Sequence, residues 1–97
     1  MLDQAKMLWQ AKKVQGELKK TEIEAKSNNG WVTAVVNGEM HIKKIELAEE
    51  ALKPENKFDL EKSIHNTVGE ALSRAQAVAA EKTKAVMKNM NLNIPGM

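Results

Sequence analysis

An α+β fold is predicted: a long N-terminal helix, a three-stranded antiparallel meander and a long C-terminal helix. Three observations predict it. Residues 2–20 hold strong helix formers with no Pro and a single Gly. The centre is β-branched and carries Asn37-Gly38 between two strand-like runs. From about residue 57 to 89 the chain again has no Pro and keeps a helical apolar stripe.

In the first helix Met7, Ala11, Val14 and Leu18 recur at steps of four, three and four. So narrow a stripe predicts a seam against another helix. Lys6, Lys13 and Lys20 form one column on the wheel, Lys12 and Lys19 a second, and Trp9 falls between the columns, nearly opposite the seam. Burial of Trp9 against a neighbouring subunit is the first expectation, with simple exposure and a place in a groove of DNA as the alternatives.

Ile23 and Ala25 alternate with charged residues, a weak signal for a first strand over 22–27, and Ser27-Asn28-Asn29-Gly30 reads as a turn. Trp31 to Val36 and the run from Glu39 form a hairpin. A two-residue type I′ turn at Asn37-Gly38 would set Val35 opposite Met40, Thr33 opposite Ile42 and Trp31 opposite Lys44. Met40 and Ile42 are even-numbered but Ile45 and Leu47 odd-numbered, so a bulge or bend is expected at Lys43-Lys44. Trp31 is expected to anchor the core.

Residues 48–56 form an irregular link with Pro54 and a short helical turn, and Asn56 or Asp59 can cap the next helix. That helix carries Leu60, Ile64, Val68, Ala71, Ala75, Val78, Ala79 and Val86 on one stripe. At 1.5 Å per residue it spans roughly 45–50 Å, more than so small a domain can cover, so part of it must project or meet a partner. Residues 91–97 read as a flexible tail of a single domain over 1–97.

Composition bounds the function. The chain has 97 residues, 42% hydrophobic and 29% charged, with two Trp, one Phe and no Cys. Thiolate metal sites, disulfides and cysteine nucleophiles are excluded, and a cytoplasmic setting is expected. No apolar run is long enough to span a membrane, and no signal peptide is read at the N-terminus. His41 and His65 lack ligand spacing, Ser27, Ser63 and Ser73 lie in no nucleophile context, and no Gly-rich phosphate loop is present. Neither an enzyme nor a metal, cofactor or small-molecule site is expected.

The net charge of +2 hides a pattern: residues 1–20 carry +3, residues 21–50 carry −3, and residues 81–97 carry +2. If the two end helices lie side by side, their charge adds on one surface. Candidate DNA contacts are therefore Lys6, Lys12, Lys13, Lys19 and Lys20, with Arg74, Lys82, Lys84 and Lys88 extending the face. Scarce Arg argues against base-specific reading and for phosphate contacts.

This order of elements resembles the YbaB/EbfC family of nucleoid-associated proteins over essentially the whole chain. Met7 to Glu17 with its Gln and Lys repeats, Val32 to Gly38, Lys43-Lys44-Ile45-Glu46-Leu47, Val68-Gly69-Glu70-Ala71 and Leu92 to Met97 carry the resemblance. It implies a homodimer whose helices project like tweezers from a joined sheet. It also implies binding to double-stranded DNA with little sequence preference, a place at the nucleoid, and no cofactor. The alternative is a helical protein-interaction module whose lysines serve solubility alone.

Overall fold

The computed structural model describes residues 2–89, and the expected tail at 91–97 lies outside them. The elements are α1 (Leu2–Lys20), β1 (Glu22–Lys26), β2 (Val32–Asn37), β3 (Ile42–Leu47) and α2 (Lys57–Asn89), with short 3-10 turns at Glu49–Ala51 and Pro54–Asn56 before α2. The strands form one antiparallel sheet in the order β1-β2-β3. The end of α1 and the start of α2 thus lie where the sequence predicts them.

The end of α1 is closed locally. The Thr21 hydroxyl donates to the Glu17 carbonyl at 2.7 Å, which satisfies one of the carbonyls a helix end leaves unpaired. Lys19 and Lys20 in the last turn complement the negative end of the helix dipole.

At the β1–β2 turn Gly30 has φ 75°, a conformation glycine adopts without a Cβ clash. The Asn29 carboxamide oxygen accepts from the Trp31 amide at 3.1 Å and from the Ser27 hydroxyl at 2.6 Å. Its amide nitrogen donates to the Ser63 hydroxyl at 3.1 Å, tying the turn to α2.

The second hairpin departs from the expected two-residue turn. Its loop has three residues, Gly38 to Met40, closed by the Met40 amide on the Asn37 carbonyl and the Asn37 amide on the His41 carbonyl, both 2.9 Å. The residue with positive φ is Met40 (65°), and Gly38 has none. Such a turn ending in a left-handed residue is the other common hairpin solution. Val36 therefore pairs with Ile42, and Val35 with Lys44, in place of the register expected from a type I′ turn. The buried Asn37 side chain drives the choice: its oxygen accepts from the amides of Glu39 and His41, each at 3.0 Å. The bulge at Lys43 is present, because the pairing skips that residue between Ile42 and Lys44.

Gly38 is needed for a different reason. Its amide donates to the carbonyls of Leu18 (2.8 Å) and Thr21 (3.0 Å), which docks the hairpin tip on the end of α1. An added Cβ would lie 2.8 Å from the Leu18 carbonyl oxygen and 2.9 Å from its Cα.

The core lies between α2 and the first two strands. Ala25, Ala34 and Val36 meet Ala71 and Ala75, with Ile23, Val68 and Leu72 packed around them. Alanines on both sides let the helix approach the sheet closely, so a chain with three aromatics closes its core without using them. Trp31 is only half-buried and stands outside this cluster, contrary to the expected anchor.

Candidate nucleic-acid interface

The lower part of α2 lies on the sheet and its last third runs past it. There Ala79, Thr83, Val86 and Met87 face Met7, Ala11, Val14 and Leu18 across an open groove of about 550 Å³. The predicted seam of α1 thus looks toward α2 of its own chain, leaving Val14 and Leu18 half-buried and Met7 exposed. Lys82 reaches Glu17 at 3.7 Å and ties the two helices together. The pair forms an arm that accounts for the elongated envelope of 62 × 26 × 14 Å.

The arm carries the predicted lysines, but not on one surface. At 100° per residue Lys6, Lys12, Lys13, Lys19 and Lys20 all fall on the side of α1 turned away from its seam. By the same geometry Lys84 and Lys88 sit on the side of α2 turned away from α1. The helices do lie side by side, yet their charge occupies opposite flanks. Lys82 lies between them, engaged with Glu17. Arg74 is apart from the arm: it donates to the Glu24 carbonyl at 2.9 Å and pairs with Glu70 at 2.6 Å, clamping α2 to β1.

Three of the six carboxylates of the acidic middle segment fall on the sheet face that α2 does not cover. Glu22, Glu24 and Glu46 alternate there with Lys26, Lys43 and Lys44. Lys26 pairs with Glu24 at 3.5 Å, and Lys44 with Glu46. The hydrogen bond between Lys44 and Glu46, then their opposite charges, raises the ammonium pKa and lowers that of the carboxyl. Glu24 and Glu46 are thus compensated within the sheet and do not cancel the basic arm.

One polar feature escapes sequence reasoning. A cleft of about 420 Å³ opens between the β1–β2 turn and α2, with Lys26, Asn29, Trp31, Lys62 and Ser63 on its walls. The turn itself is legible, but its contact with a helix more than thirty residues later leaves no local periodicity. Among the described residues no group of three His or carboxylate side chains could hold a metal ion, and no helix is long and apolar enough to cross a membrane.

A basic two-helix arm on a small meander is one arrangement among many, and comparison with known proteins decides what it belongs to. The profile of the YbaB/EbfC DNA-binding family matches residues 1–90. The chain belongs to this family. A nucleoid-associated protein of Clostridium novyi (strain NT) is 35% identical over 94 residues, covering 95% of this chain and 79% of the relative. A nucleoid-associated protein of Nitrobacter hamburgensis is 30% identical, covering 100% of this chain and 92% of the relative. The fold also matches the crystal structure of an uncharacterized protein from Helicobacter pylori, with a TM-score of 0.65 at 19% identity, over 89% of this chain and 95% of that one. The predicted family and fold are therefore both found.

Proposed function

We propose that this protein binds duplex DNA with little sequence preference, as a homodimer at the nucleoid, through the lysines of its projecting arm. The single observation that carries the reading is the outer face of α1: five exposed lysines on the side turned away from the groove, with Glu17 at its margin engaged by Lys82. Each phosphate that a lysine neutralises releases condensed counterions, so affinity comes from the backbone and not from base edges. Nucleoid-associated relatives and membership of a DNA-binding family support the same partner. The reading requires no catalytic group and no cofactor.

The dimer has its own support. Ile42, Ile45 and Leu47 pair with Val36, Ala34 and Val32, so they point to the sheet face that α2 covers over β1 and β2. On β3 that cover is lacking, and the three are 51%, 43% and 38% exposed. A free edge strand with an uncovered apolar row suits burial by a second copy. Light scattering at low micromolar concentration should report about twice 10.8 kDa.

Gel shifts on random duplex DNA across a salt series test the binding. Log affinity should fall linearly with log salt at a slope of about −0.9 per phosphate neutralised. The apolar groove between α1 and α2 favours a second reading, docking of a protein helix, and that binding would respond weakly to salt.

A further inference from the structure

Two large apolar side chains of the arm, Leu8 and Trp9, belong to neither core nor groove, and Trp9 is the larger. Trp9 is 62% exposed, on the side of α1 opposite the groove. The helical wheel puts it in the middle of the lysine face, with Lys6, Lys13 and Lys20 on one flank and Lys12 and Lys19 on the other. The Lys13 ammonium stands 5.6 Å from the centre of the indole ring. Glu17, one turn from Lys13 and Lys20 at the margin of this face, is engaged by Lys82 at 3.7 Å.

An indole in water forgoes the gain that burial of so large an apolar surface brings, and tryptophan is the residue most enriched at the energetic centre of interfaces. The lysines select what can cover it. A second copy would have to bring unpaired carboxylates to meet five lysines, and of the three on the open sheet face Glu24 and Glu46 are already paired with Lys26 and Lys44. A polyanion with apolar edges meets both requirements: phosphates for the ammonium groups, and sugar and base edges for the ring.

We infer that Trp9 is the apolar contact of the DNA interface, lying in a groove of the duplex against sugars and base edges while the flanking lysines hold phosphates on either side. This inference rests on the proposed DNA binding and adds to it a contact that does not depend on counterion release. Apolar side chains that enter the minor groove are an established way for a protein with few base contacts to gain affinity and deform DNA. Lys13 is placed to hand its charge from the ring to a phosphate.

The test uses the full chain with Trp31→Phe, so that Trp9 is the sole tryptophan, and a random duplex labelled for anisotropy. On titration the Trp9 emission should shift or quench and saturate together with the anisotropy. Trp9→Ala should weaken binding by about tenfold, on the scale of aromatic contacts to bases, with the salt slope unchanged. Trp9→Phe should recover most of the loss. Lys13→Gln should flatten the slope by about one phosphate and keep the emission change. Wild-type affinity in Trp9→Ala, or an emission unmoved at saturating DNA, overturns the inference while leaving phosphate binding in place. A Trp9→Ala chain of lower mass by light scattering overturns it too, since a second copy would then cover the ring. Absence of duplex binding by the wild type at low salt is a separate failure, that of the proposed function.

Discussion

Replacing Gly38 by Ala tests how the hairpin is held on α1. The new Cβ would stand 2.8 Å from Leu18 Cδ2, 2.8 Å from the Leu18 carbonyl oxygen and 2.9 Å from Leu18 Cα. A rotamer change moves the first of these atoms, but the other two are backbone. The last turn of α1 or the hairpin tip must therefore give way by roughly half an ångström, a typical over-packing displacement. That displacement stretches the Gly38 amide's hydrogen bonds to Leu18 and Thr21. Overpacking costs about 1–3 kcal/mol and a weakened hydrogen bond adds about 1, giving about 2–4 kcal/mol in all. For a domain of this size that is about 10–25 °C in thermal midpoint, read by circular dichroism at fixed protein concentration. Met40 serves as the internal control, because it holds the positive φ. Met40→Val should lose about 1–2 kcal/mol to backbone strain, and Met40→Asn should be tolerated. A Gly38→Ala melt that overlays the wild type would refute the close approach, and a neutral Met40→Val would refute the three-residue loop.

Further outcomes follow from other contacts. Asn37→Ala removes a buried side chain and leaves the amides of Glu39 and His41, in a partly exposed turn, without their acceptor, and should cost about 1–3 kcal/mol in urea unfolding. Ala71→Leu forces α2 away from Ala25 and Ala34 and should cost at least about 1–3 kcal/mol, with the helical signal retained before the transition. Reversing Lys12, Lys13, Lys19 and Lys20 to Glu should abolish duplex binding at moderate salt, with fold and mass unchanged because exposed charges contribute little to stability. Wild-type binding by that folded variant would move the site to Lys84 and Lys88 on the other flank.

Several features were decided by the sequence alone, and each is local. Where Pro is missing, helix formers run on, and α1 ends and α2 begins within a residue or so of the predicted limits. The bulge at Lys43 shows in the sequence because side chains alternate with period two, so a change of parity between Ile42 and Ile45 has to be absorbed by one extra residue. The column of lysines around Trp9 follows from helical spacing. Tertiary structure decided what lies across from each of these faces. Asn37-Gly38 is suited to a tight turn, but the carbonyls of Leu18 and Thr21 claim the Gly38 amide and the Asn37 side chain claims two others. The loop lengthens and the register shifts. Trp31 has the size of a core anchor, yet the core belongs to Ala25, Ala34, Ala71 and Ala75, because a long helix lies flattest on a sheet where both surfaces are small. Periodicity states which side of an element is apolar or charged; only the packing of α1 beside α2 sends their lysines to opposite flanks of one arm.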